Sequence, residues 1–329
     1  MSLKRSGITT WNGHSDAGIN TFVRTPLILD PSASDLREKN VRAAVMGVPC
    51  DGGTMSRTGS SMGPRAIRNA SHCFSPFHGD YDSIPYIEIL QVHDCGDCYV
   101  HVGDNKKTIR DGADMAAEIY KAGAMPVILG GEHTVSLCGA MGLQQANPDK
   151  KYGFIHLDGH LDNNSETEEW HHGSQFRWIS ELDAFPCENM VAIGMRGTTN
   201  FKHSYEFCES RGISVYTMRR ILKEGLENVI DDALKIANSG TDGFYLSIDL
   251  DVLEPAHVPG AEDPTPFGLT VRELWQALPK LGGSESLVGF DVVELVPNYD
   301  PSNITAITAA AIIVELLAFK AAVVQEGIN

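Results

Sequence analysis

Positive charge is scarce in this chain. Its 329 residues carry 26 Lys and Arg against 43 Asp and Glu, a formal net charge of −17. A field of that sign repels polyphosphates and anionic lipid, which excludes nucleic acid and negatively charged membranes as partners and favours small cations. A disulfide framework is missing too. The seven cysteines are odd in number and scattered, which reads as reduced, mostly buried thiols. Cys95 and Cys98 have C-x-x-C spacing, but no second pair follows at zinc spacing, so a structural role is preferred to a redox or zinc one. No apolar run is read as long enough to span a membrane, and no signal-like segment opens the chain; the expected location is cytoplasmic. Repeats, low-complexity tracts and linkers are absent. The expectation is a polar N-terminal arm over residues 1–40, lying irregularly or on a neighbouring subunit, and one large domain over 41–329.

What is present is alternation. Apolar runs at Ala43–Val48, Tyr86–Val92, Met125–Leu129, 153–157, 190–194, 213–216, 243–249 and 286–291 read as strands. Helix-length segments at 65–69, 106–122, 203–211, 223–238, 270–280 and 302–323 separate most of them. That order predicts an α/β fold of three layers, α/β/α, around a mostly parallel central sheet. Ligands in such sheets bind at the carboxyl ends of the strands. Arg57, Arg65 and Arg68 are assigned to solvation or packing rather than to ligand contact.

Three strand ends carry the chemistry. After Ile155 comes His156-Leu157-Asp158-Gly159-His160-Leu161-Asp162; continued extended geometry would turn Asp158, His160 and Asp162 the same way. Phe244–Ile248 leads into Asp249-Leu250-Asp251, and Val127–Leu129 into Gly130-Gly131-Glu132-His133. Two imidazoles and four carboxylates suit divalent ions of hard or borderline character. They are more than one ion needs; two ions sharing carboxylates, about 3.5–4 Å apart, would use them all.

These segments resemble the signatures of the ureohydrolase superfamily, which contains arginases, agmatinases and guanidino-acid hydrolases. The likeness extends to Gly47-Val48-Pro49, Gly63–Arg68, Asp94–Asp97 and Gly289–Glu294, covering nearly all of the chain beyond residue 40. The Asp291–Pro301 stretch and the long C-terminal segment look closest to the agmatinase branch. The resemblance implies an arginase-like fold, hydrolysis of a guanidino group to urea and an amine, and two divalent ions, Mn²⁺ in the first instance and Ni²⁺ as an alternative. By the same match Asp158 and Asp249 would bridge the ions. His133 and Asp162 would complete one, and His160 and Asp251 the other. Asp162 would also accept a hydrogen bond from the attacking water. Glu294 would hold the guanidinium, and His172, in His171-His172-Gly173-Ser174, would pass a proton to the leaving amine. The family's rings make a homo-oligomer, trimer or hexamer, the expected assembly.

Three departures bear on the substrate. Gly159 replaces the usual alanine, which would loosen that backbone; Glu254 replaces an aspartate; Glu262-Asp263-Pro264 replaces Gly-Thr-Pro. The segment from Asn163 to His172, with Asn163 and Asn164 as tail contacts, holds three carboxylates and no Lys or Arg. A small guanidino compound with a neutral or cationic tail, agmatine-like, is therefore expected ahead of arginine and guanidino acids. The rivals are a guanidino-acid hydrolase of the guanidinobutyrase kind and a non-catalytic partner of a hetero-oligomer. All six ligand positions are kept, against the expectation for a silent partner. A two-metal phosphoesterase lacks its basic phosphate clamp here.

Overall fold

The structure is a computed structural model and describes residues 18–164 and 168–327. The described residues hold eight strands: β1 (Ala43–Val48), β2 (His93–Asp97), β3 (Met125–Gly130), β4 (Gly153–Leu157), β5 (Met190–Met195), β6 (Ser214–Thr217), β7 (Phe244–Asp249) and β8 (Leu287–Val293). They make one sheet in the order β2-β1-β3-β8-β7-β4-β5-β6. Every neighbouring pair is parallel. The inner strands are buried apart from the partly buried Val288 of β8; Ala43–Val48, for example, is apolar and buried at all six positions, as a sheet covered on both faces requires. Two apolar clusters, one on each face, complete the three layers.

The helices are α1 (Ala33–Glu38), α2 (Gly63–Ser71), α3 (Tyr86–Ile89), α4 (Asn105–Lys121), α5 (Ser136–Ala146), α6 (Gln175–Ile179), α7 (Lys202–Arg211), α8 (Met218–Glu224), α9 (Leu226–Ala237), α10 (Val271–Gly282) and α11 (Ile304–Glu326). Several start with a side-chain cap or a proline: Thr270 and Glu273 form a reciprocal capping box at α10, and Pro64 stands in the first turn of α2.

Several expectations are corrected. Tyr86–Val92 is not a strand: a helical turn follows Pro85, and the strand is His93–Asp97. Its charge disguised it. Asp94 is fully buried and held by Arg68, whose Nε and Nη2 meet the two carboxylate oxygens at 2.8 and 3.0 Å. Arg68 is therefore an internal ion-pair residue, not a solvated one. The helix expected over 223–238 is two helices, broken at Gly225 with φ of 85°. The second half of the arm packs on its own chain: Phe22 and Val23 are buried, and the Phe22 N–H donates to Asp94 at 2.8 Å. Residues 1–17 lie outside the described residues. The membrane-span statement also fails as a matter of length. Ile304–Glu326, at 23 residues and mean hydropathy 2.2, is long and apolar enough to cross a membrane. It packs against α10, α2 and α3, and Leu316, Leu317 and Ala318 are fully buried there.

Candidate active site

The four central strands of the sheet, β3, β8, β7 and β4, end side by side, and each releases one part of a polar cluster. At the end of β3 the chain must pass close to a neighbouring loop: a Cβ on Gly131 would stand 1.9 Å from the Cys50 carbonyl oxygen. The chain then turns at His133–Val135 into α5. At the end of β4 extended geometry stops, with bends over residues 158–160. Asp162 adopts φ of 43° and Glu294, after β8, φ of 68°. Non-glycine residues held in the left-handed region cost free energy and collect at sites whose side chains need a particular aim.

The bend splits the six expected ligands into two groups. His133 Nδ1 stands 3.0 Å from Asp158 Oδ2, 3.0 Å from Asp249 Oδ2 and 3.2 Å from Asp162 Oδ2. His160 Nδ1 stands 2.8 Å from Asp251 Oδ2 and 3.5 Å from Asp158 Oδ1. Asp158 thus turns one oxygen to each group. Asp249 joins only the first; its other oxygen accepts the Asp251 N–H at 2.6 Å.

This arrangement fits a cation. Buried His133 Nδ1 and Asp158 Oδ2 face each other without a hydrogen bond. The Ser247 hydroxyl lies 2.8 Å from His133 Nε2 and donates to Asp291 Oδ1 at 2.8 Å. Once that proton is committed to the carboxylate, Ser247 takes the Nε2–H, which leaves the Nδ1 lone pair aimed at three carboxylates. Tyr245 donates to the other oxygen of Asp291 at 2.8 Å. His156 stacks on His133 at 5.0 Å and lies 3.1 Å from Asp158 Oδ2. Sequence reasoning assigned no role to His156, Ser247, Tyr245 or Asp291. The i, i+2 spacing of Tyr245 and Ser247 on one face of β7, opposite Asp291, was the available signal.

Without a cation the cluster stores protons. Burial opposes charge on His133 and His160, but the carboxylates around them push both pKa values up. Burial, aided by the charges of Asp251 and Asp158, raises Asp249 well above the usual range. Asp251 is raised for the same first reason. Asp158 goes the other way: burial opposes its charge, but three histidines hold it well below.

Glu294 forms a third group with His172 and Glu262. Its Oε1 accepts the His133 N–H at 2.5 Å and stands 3.4 Å from His172 Nδ1. Glu262 Oε1 stands 3.5 Å from the same nitrogen. Glu262 is fully buried, and both of its carboxylate oxygens and Glu294 Oε2 lack hydrogen-bond partners. Burial first, and then the charges of Glu262 and Asp249, raise Glu294 well above the usual carboxylate range; burial brings Glu262 to about 7. His172 Nε2 accepts the Met55 N–H at 3.1 Å. His171 lines a second cavity, with Cys50 and Trp170, and not the cleft that His172 lines.

An open cleft of about 320 Å³ joins the groups, with Asp162, Asp249, Asp251, Asp263, His160, His172 and Glu294 on its walls. No Lys or Arg lines it among the described residues. Asn163 and Asn164 also line it, but the Asn163 amide is turned inward, donating to Ser204 O at 2.9 Å and Cys208 Sγ at 3.3 Å. It has no free donor for a substrate tail. Of the three acids expected beside them, Glu168 and Glu169 are 81% and 78% exposed and pair with Arg177 and Lys106; Glu166 lies outside the described residues. Acidity of the cleft therefore comes from Asp263 and Glu294, with Glu262 behind, rather than from that loop.

The family model described as "Arginase family" matches residues 41–318. The chain is 33% identical to a guanidinopropionase of Pseudomonas aeruginosa, over 93% of this chain and 92% of the relative. It is 30% identical to a mitochondrial agmatinase of Gallus gallus, over 91% and 85%. The structure of a proclavaminate amidino hydrolase from Streptomyces clavuligerus superposes with a TM-score of 0.85 at 29% identity, covering 94% of this chain and all of that one.

Proposed function

This chain belongs to the arginase family of amidinohydrolases, which cleave C–N bonds of guanidino compounds, and from that premise we propose that its substrate is a small cationic guanidine, agmatine-like or shorter. The observation that carries the proposal is the charge balance of the cleft. Four carboxylates (Asp158, Asp162, Asp249 and Asp251) would formally balance two divalent ions, which the His133 and His160 groups, with Asp158 common to both, would hold. Mn²⁺ is the first candidate and Ni²⁺ the second, because such O/N donor sets discriminate poorly by affinity. Bound there, the ions supply Lewis acidity and lower the pKa of water. Glu294, Glu262 and Asp263 remain, with no basic residue opposite them among the described lining. A guanidinium supplies the positive charge against which Glu294 and Glu262, both raised by burial, ionise. A substrate tail ending in a carboxylate supplies none.

The chain's own residues then have separable tasks. Glu294 Oε2, buried and unpartnered, accepts N–H from the planar guanidinium and sets its face toward the cluster. Asp162, 11% exposed at the cleft, accepts a hydrogen bond from the attacking water. His172 carries its proton on Nδ1, because the Met55 N–H occupies the Nε2 lone pair; that proton lies between Glu262 and Glu294, where the amine leaves. A homo-oligomer belongs to the same proposal, supported by the exposed apolar Met62, Ile304 and Ile307 beside α2 and the start of α11.

The test is a urea-release panel of guanidine, an N-alkylguanidine, agmatine, arginine and 4-guanidinobutyrate, at low and high salt, on Mn²⁺- and Ni²⁺-loaded protein. The cationic and short substrates are expected to lead in kcat/KM by about tenfold or more, roughly 1.4 kcal/mol, with the margin narrowing as salt rises. A lead for 4-guanidinobutyrate or arginine overturns the charge argument and leaves the reaction class standing.

A further inference from the structure

The glycine at 159 does not loosen its backbone. Its N–H donates to Asp251 Oδ1 at 2.8 Å, and its carbonyl accepts from the Arg196 N–H at 3.2 Å and from Asn200 at 2.8 Å. What glycine provides is space. A Cβ at 159 would stand 2.7 Å from Arg196 Nη1 and 3.0 Å from Asp251 Oδ1.

Arg196 follows β5 and is buried, 6% exposed. Its guanidinium is directed at backbone carbonyls: Nη1 to Gly194 at 3.2 Å, Nε to Thr265 at 3.2 Å and Pro266 at 3.1 Å, Nη2 to Thr265 at 2.7 Å, to Leu253 at 3.3 Å and to Asp251. Two of these carbonyls belong to residues around one cation group. Asp251 supplies its carboxylate to His160 Nδ1, and Thr265 Oγ1 stands 3.2 Å from His160 Nε2. Arg196 therefore holds the turn that carries Asp251 and the wall that orients His160. Its hydrogen bonds reach neither His133 nor Asp162.

We propose that Arg196 is the positioning residue of the Asp158–His160–Asp251 cation site, and that glycine at 159 is required because the guanidinium fills the volume a side chain would take. The proposal rests on the reading that this group holds an ion. Groups that orient ligands without touching the metal typically change affinity by about 10–100-fold when removed. The loss should fall on this site and spare the other.

The experiment measures Mn²⁺ binding by chelator competition and the metal content after dialysis, on wild type, Gly159→Ala, Arg196→Met and the double variant. The wild type is expected to hold two ions. Each single variant is expected to keep one at unchanged affinity and to lose about 10–100-fold at the other. Adding Arg196→Met to Gly159→Ala should cost little more, since the first change already displaces the guanidinium. Gly159→Ala keeps the test open if removal of a buried arginine prevents folding. Folded variants that hold both ions with wild-type affinity overturn the proposal, as does equal weakening of both sites, which would mark Arg196 as a general stability element. A wild type that holds fewer than two ions removes the premise, and the inference falls with it.

Discussion

The Glu294 carboxylate accepts the His133 backbone N–H at 2.5 Å, so the residue placed for the guanidinium is tied to the residue placed for a cation. A second bond makes the tie rigid: the Glu294 N–H donates to Gly131 O at 2.9 Å. The ends of β3 and β8 are thereby locked in register, and substrate and cation would be held by one piece of backbone.

Asp158 turns an oxygen to each cation group, so Asp158→Asn should impair both. Metal content is expected to fall from two ions per chain to one or none, and kcat/KM by roughly 10²–10³-fold, about 3–4 kcal/mol of barrier. Metal analysis alongside a urea assay checks this; full metal content and full activity together would refute the shared role.

Glu294→Gln and Glu262→Gln should leave the metal content at its wild-type value. Loss of a charged acceptor costs about 1.5–3 kcal/mol, so Glu294→Gln should lower kcat/KM by about 10–100-fold. Glu262 lies behind Glu294 and His172, and its change should act mainly on KM and by less, about 3–10-fold. A metal-free Glu294→Gln protein would make Glu294 a ligand instead.

Metal binding should release protons. His133, His160, Asp249 and Asp251 all have raised pKa values in the metal-free protein, and a cation displaces the protons they keep. The sign follows: apparent metal affinity weakens as pH falls, because more protons must leave. Calorimetric titration with Mn²⁺ in buffers of different ionisation enthalpy at about pH 6 and about pH 8 reads the proton count directly. No buffer dependence would show that the cluster is already deprotonated.

The Arg68–Asp94 pair should matter for stability rather than for chemistry. It is buried, 5% and 0% exposed, and it pins α2, β2 and, through Phe22, the N-terminal segment. Removal of one partner by Asp94→Asn should cost about 3–5 kcal/mol in denaturant unfolding, because the buried half of the pair is broken and Arg68 keeps only Asp97, 41% exposed, as a charged partner. An unchanged unfolding midpoint would show that water reaches the pair.

The sequence by itself determined the layers and the place of the site. Seven of the eight strands were legible because a strand covered on both faces is apolar throughout, and their polar ends stood out where the apolar run stopped, as at Ile155 and Ile248. The family likeness followed from those same ends. The eighth strand was hidden because its polarity, Asp94 above all, is neutralised by Arg68 from another element, and a pairing across 26 residues leaves no local trace. The rest was decided in three dimensions. Alternation suggested that Asp158, His160 and Asp162 share one direction, but the bend at 158–160 separates them into two groups, and only tertiary contacts with β3 and β7 select the partners of each. The inward turn of Asn163, the exposure of Glu168 and Glu169, and the burial of Glu262 against His172 could not be read from composition, because charge in a sequence has no direction until packing assigns one. Gly159 shows the same limit at a single residue. Its neighbours along the chain make it look permissive, while Arg196, 37 positions away in sequence, occupies the space that only a glycine leaves.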